Sequence, residues 1–267
     1  MTPNTSSTPP AGGNGEREYG VRGLFGIAVP QANPIVEPEF GALLPPGVST
    51  IATRLQGSRT DSSNRLVQYL DNLGTSLDAY DTARPDALGY ACTGSSYLVD
   101  PAMEARLLAE QESRVGYRIV TAASAILQAL QHLGAARVAL LAPYPEWLMK
   151  AGSRYWTAHG LAVVAESRSM IESDDTRHVY GIRSHQVEAA AQALDIGNAD
   201  AVLISGTGMP TLRAIPRIAL RTGKPVVSSN LCLAWALLKA HGADFPAPRH
   251  DRGETLIGGW ADRAALL

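Results

Sequence analysis

From Val21 onward the chain alternates short apolar runs with segments whose apolar residues recur at helical spacing, and no other feature restricts the fold as much. The spacing predicts strands over 24–29 ("LFGIAV"), 48–55, 86–94, 137–143, 161–167, 200–206 and 224–229. Helices are expected between them over 62–77, 101–113, 123–134, 146–160, 185–194, 212–223 and 233–242. Ser62 or Ser63 is the expected N-cap of the first of these, Pro101 suits a first helical turn, and Gly134 a helix end. Strand–helix–strand repetition of this kind makes an α/β fold with parallel sheets. Several strands are unbroken apolar runs, as expected where helices cover both sheet faces. Chemistry then belongs in the loops at the carboxyl ends of the strands, here 30–39, 92–96, 143–146, 206–209 and 228–231.

One turn is written twice. "GYACTGSSYL" (89–98) and "LISGTGMPTL" (203–212) align on Thr-Gly, so that Cys92 falls on Gly206. The two copies are about one small α/β lobe apart. This predicts two pseudo-symmetric parallel-sheet lobes whose turns converge on a shared cleft. The expected division is a disordered tail over 1–20, a first lobe over 21–118 completed by 228–267, and a second over 119–227.

Composition narrows the function. The 267 residues are 45% hydrophobic, and the net charge of −2 comes with dispersed basic residues, so neither nucleic acid nor an anionic membrane is an expected partner. The Pro/Gly/Ser-rich start has neither the basic head nor the apolar core of a secretory signal, and no run is long enough to span a bilayer. With two cysteines only, reduced thiols and a cytoplasmic location are the expectation. The histidines show no ligand spacing, so no metal site is expected. Neither GxGxxG nor GxxxxGK[ST] occurs, so no nucleotide cofactor is expected, and side chains alone must carry any chemistry.

Cys92 ends a strand beside Thr93, Gly94 and two serines. It reads either as a buried small hydrophobe or as a thiol whose pKa nearby backbone N–H groups depress; the hydroxyls and glycine after it favour the second. Cys232, inside "LCLAWALL", reads as core. Ser205–Gly208 is either a nest of amides for an anion or a tight strand-to-helix turn. Tyr144, boxed by prolines, either points into the cleft or caps the sheet end. Asn33, which precedes a proline, is either a site residue or ordinary turn chemistry.

Taken together these segments resemble the aspartate/glutamate racemase superfamily, in the branch of maleate cis–trans isomerases and arylmalonate decarboxylases. "GIAVPQANPIVEPEF", "YACTGSS", "TAASAILQALQHLGAARVALLAPY" and "ADAVLISGTGMPTLRAIPRIALRTGKPVVSSN" carry the likeness, which runs from about Gly23 to about Gly242. The resemblance implies two lobes with a carboxylate-binding cleft between them. Isomerases and racemases of the superfamily have a cysteine in each turn; the decarboxylases have glycine in the first and cysteine in the second. Here the order is Cys92 and Gly206, a lone thiol on the face opposite to the decarboxylases'. The resemblance further implies a carboxylate cradle of Thr93, Gly94, Tyr144, Gly206 and Thr207, and a substrate-binding Asn33. The isomerases' "DN" pair is replaced by "ESDDTRHVYG", where Thr176 is the best match for the asparagine. The implied activity is cofactor-independent isomerisation of a small dicarboxylate. The alternatives are decarboxylation with Cys92 as proton donor and non-catalytic carboxylate binding. The expected partner is a small carboxylic acid, with self-association into a homo-oligomer left open.

Overall fold

The computed structural model describes residues 17–168 and 173–267. Of the tail expected over 1–20, residues 1–16 lie outside the described residues; Arg17 is tied down by an ion pair with Asp86. The first half holds strands β1 (Gly23–Pro30), β2 (Val48–Leu55), β3 (Ala87–Tyr90) and β4 (Arg118–Thr121). With them run helices α1 (Val36–Leu43), α2 (Ser62–Asp71), α3 (Leu73–Asp78), α4 (Thr93–Ser96), α5 (Pro101–Val115) and α6 (Ala122–His132). The second half holds β5 (Arg137–Ala142), β6 (Ala162–Arg168), β7 (Ala201–Ile204) and β8 (Val226–Ser228). Its helices are α7 (Glu146–Ala158), α8 (Ser184–Ala193), α9 (Ala214–Thr222), α10 (Ser229–His241) and α11 (Trp260–Ala264).

The strands form two parallel four-stranded sheets, ordered β2-β1-β3-β4 and β6-β5-β7-β8. Numbered within each half, the two orders are the same, so the repeat seen in one turn extends to whole sheets. Every residue of β3 and β7 is buried, which is why these strands read as plain apolar runs. Edge strand β2 is buried only at alternate residues toward its end. Helix α10 packs on β3, β4 and α6, so a segment that follows the second sheet in sequence lies on the first.

Several local features differ from expectation, among them α1, which begins inside the loop expected over 30–39, and α4, which takes the end of the strand expected over 86–94. Strand β4 is an addition to the expected set; "RIVT" is too short to announce itself, and pairing with β3 makes it a strand. The helix expected over 62–77 breaks at Asn72 into α2 and α3. Asp61, not Ser62 or Ser63, caps α2: its backbone is extended and its carboxylate accepts from Asn64 N at 2.9 Å. The loop expected over 228–231 is instead the start of α10, capped by Ser228 Oγ. No helix among the described residues is long and apolar enough to cross a membrane.

Candidate active site

In an open parallel sheet ligands bind beyond the carboxyl ends of the strands, where the strand order reverses. That point lies between β1 and β3 in the first sheet and between β5 and β7 in the second. Asn33 follows β1, Cys92 follows β3, Tyr144 follows β5, and Gly206 and Thr207 follow β7. All of them, with Thr93, Gly94 and Thr176, line one cleft with about 440 Å³ of empty space, part of it open to solvent. Folding thus brings together every site residue named from the sequence.

The two turns are bonded to each other. Thr207 Oγ1 donates to the carbonyl of Ala91 at 2.8 Å and accepts from Asn33 Nδ2 at 3.4 Å. Ser229 Oγ accepts from Thr93 Oγ1 at 3.0 Å and from the Gly206 N–H at 2.9 Å. Tyr97 Oη and Ser205 Oγ are 2.6 Å apart. The Gly206 amide is therefore occupied, whereas the Thr207 N–H takes no partner among the described residues. Asn33 serves both of its anticipated readings: it lines the cleft, and its Oδ1 accepts from Ile35 N at 2.8 Å as a turn residue.

Cys92 is buried at 4% exposure but borders the cleft. Ser95 Oγ lies 3.2 Å from Sγ, and the N–H groups of Ser95 and Gly94 also point at the sulfur. The Gly94 amide thus serves the thiol. The sequence neighbours alone predict a depressed pKa. Instead burial pushes the Cys92 thiol above its ordinary value, outweighing the three hydrogen bonds and the nearby Arg65 guanidinium that favour the thiolate. Cys232 lies wholly in the packing of α10, as expected, with its thiol raised by burial alone.

Across the cleft, Gly206 has φ +131°, a conformation side-chain-bearing residues rarely adopt. A Cβ there would meet Pro143 Cδ at 3.0 Å and Tyr144 Oη at 3.3 Å. A side chain at this position is therefore strained and crowded by Pro143 and Tyr144. Tyr144 Oη lies near the hydroxyls of Ser205 and Thr93, and burial raises its pKa, so it remains a neutral phenol. Gly208 is glycine for a different reason, since Tyr180 lies where its Cβ would be.

Sequence reasoning missed three residues. Arg65 lines the cleft from α2, 1% exposed. The signal was a lone arginine beside Leu66 and one helical turn before Tyr69, on the buried face. Ser229 joins Thr93 to Gly206, but its sequence shows only a serine after a strand. Glu39 of α1 braces the second turn from below, accepting from Thr211 N at 2.5 Å, Leu212 N at 3.2 Å and Asn230 Nδ2 at 2.8 Å. Burial raises its pKa against these donors. Among the described residues no group of three or more His, Cys, Asp or Glu is placed to ligate a metal.

The family model described as arylmalonate decarboxylase matches residues 25–252 of the chain. The chain belongs to that family. It sits in the branch of the aspartate/glutamate racemase superfamily that also holds the maleate isomerases. The maleate isomerase of Nocardia farcinica is 30% identical over 89% of this chain and 96% of its own length. The arylmalonate decarboxylase of Bordetella bronchiseptica is 28% identical over 84% and 92%. Among solved structures, a cysteine-to-serine variant of the Nocardia farcinica maleate cis–trans isomerase carrying a covalently bound succinylcysteine intermediate superposes with a TM-score of 0.71. It is 26% identical, and the match covers 82% of this chain and 93% of that one. The arylmalonate decarboxylase family has the two-lobed parallel-sheet fold anticipated from the duplicated turn.

Proposed function

We propose that this family member is a cofactor-independent isomerase of a small unsaturated dicarboxylate, of the maleate cis–trans isomerase kind, working through Cys92 alone. The observation that carries the reading is a single thiol at the switch point, with three donors on its sulfur, in a cleft whose other turn holds a glycine with a positive φ and close neighbours that disfavour a second. One substrate carboxylate would take the Thr207 N–H, the Tyr144 hydroxyl and the free Asn33 amide proton, beside a Thr93 that Ser229 holds in place. The Cys92 thiolate adds to the nearer carbon of the cis double bond, and the electron pair moves onto the far carboxylate as an enediolate. The former double bond, now single, rotates. The enediolate then collapses, restores the double bond in the trans form and expels the thiolate. No proton has to reach carbon, so one thiol suffices. A relative with a cysteine-to-serine substitution that holds a succinylcysteine supports a covalent route.

A second reading has its own support. Burial raises the Cys92 pKa, and a protonated thiol suits decarboxylation: a substituted malonate would lose CO2 and its enediolate would take the Cys92 proton. On either reading we assign a small carboxylic acid as partner, no nucleic acid or membrane, a cytoplasmic setting, and lobes of 21–118 with 228–267 and of 119–227.

The test is proton NMR of the protein with maleate and, separately, with phenylmalonate. The leading reading expects conversion of maleate to its trans isomer and loss of that conversion in Cys92→Ala. Conversion of phenylmalonate alone selects the decarboxylase. Any turnover that survives Cys92→Ala unchanged removes the thiol from both mechanisms.

A further inference from the structure

Arg65 is the only charged side chain among the described residues lining the cleft. A guanidinium taken out of water is costly unless its charge is matched. Arg65 Nη2 reaches Asp175 Oδ1 at 2.9 Å, Ser62 Oγ at 2.8 Å and Thr176 Oγ1 at 3.1 Å, and Nη1 reaches the Ser58 carbonyl at 3.2 Å. Asp175 is not Arg65's alone, because Arg177 grips the same carboxylate through Nε and Nη2. The Asp175 carboxylate is thus shared between two guanidinium groups, of which Arg65 lines the cleft. The Arg65 Nε–H has no partner among the described residues.

We propose that Arg65 holds the second carboxylate of the substrate and makes the cleft select dianions over monoanions. The inference rests on reading the Cys92 cleft as a carboxylate site. One carboxylate lies at the Thr207 turn, the other completes the charge of Arg65, and the carbons between them run past the sulfur. Thr176, the position matched to an asparagine in the isomerases, holds the guanidinium rather than replacing that amide.

Protection of Cys92 tests this without turnover. Alkylation by iodoacetamide is followed on the full-length protein with increasing maleate or monomethyl maleate, and again with phenylmalonate or its monoethyl ester. The wild type is expected to be protected by a dianion at about 10- to 100-fold lower concentration than by its half-ester, the effect of a hydrogen bond to a charged group. Arg65→Met should lose that preference while keeping the half-ester's affinity, and Arg65→Lys should keep part of it. A merely structural role for Arg65 would weaken both ligands alike. Equal protection of the wild type by dianion and half-ester overturns the proposal, as does a folded Arg65→Met that still prefers dianions, or protection by none of the four. If Arg65→Met does not fold, the wild-type ratio and Arg65→Lys decide. Failure of maleate turnover would count against the isomerase and leave this preference standing; turnover without the preference would do the reverse.

Discussion

Replacing Ser95 with alanine removes one of the three donors on the Cys92 sulfur. A hydroxyl has a single proton to give, and Ser95 Oγ has two acceptors within reach: the Leu66 carbonyl at 2.7 Å and Cys92 Sγ at 3.2 Å. Tyr90 Oη donates to the same oxygen at 2.9 Å and leaves the Ser95 proton free to choose. While Cys92 is a thiol, the Leu66 carbonyl is the better acceptor; once it is a thiolate, the sulfur is. The gain on ionisation is therefore the difference between a charged and a neutral hydrogen bond, about 1–1.5 kcal/mol. That corresponds to roughly tenfold less thiolate in Ser95→Ala at any pH on the rising limb of the titration. The assay is the second-order rate of alkylation by iodoacetamide from neutral to alkaline pH. Only Cys92 should react, since Cys232 is sealed inside α10. The variant's profile should move to the alkaline side and keep the same plateau. A urea unfolding curve checks the separate cost of depriving Tyr90 Oη of its acceptor, about 1–3 kcal/mol. Superimposable profiles, or a move to the acid side, would refute the claim that Ser95 supports the thiolate.

Gly206→Cys should not create a two-thiol site; the positive φ and the contact with Pro143 predict a loss of about 1–3 kcal/mol in urea denaturation, and a variant as stable as the wild type would refute the account of that glycine. Glu104, held by Ser96 Oγ at 2.6 Å, has its pKa raised by burial, so above the ordinary carboxylate range the unfolded chain releases this proton first and stability falls as pH rises through the folded pKa. Glu104→Gln keeps an acceptor for Ser96 without the charge, so its stability relative to wild type should improve as pH rises above the ordinary carboxylate pKa of about 4; Glu39, present in both proteins, cancels. A difference that is constant with pH would contradict this.

How much was legible depends on the distance over which each property is set. The alternation of strands and helices, the repeated turn and the thiol, hydroxyl and glycine chemistry of "CTGSS" are properties of adjacent residues, and each was readable. Strand β4 was not, because four residues carry too little pattern and the pairing with β3 that makes them a strand involves another segment. Arg65 was visible as an arginine on an apolar helix face, but nothing in α2 says that the face turns toward Thr176. The pKa of Cys92 shows the limit most clearly. Its neighbours in sequence supply the donors that favour a thiolate, whereas the burial that outweighs them comes from the packing around the strand end.

The amino-acid order by itself determined an α/β chain of two like halves with one thiol between them, because side-chain period and residue chemistry act locally. The tertiary structure alone decided that Ser229 joins the two turns, that Pro143 and Tyr144 crowd any side chain at Gly206, and that a buried guanidinium paired with Asp175 lines the cleft. Desolvation and cross-lobe hydrogen bonds arise only when segments far apart in the chain share one enclosed space.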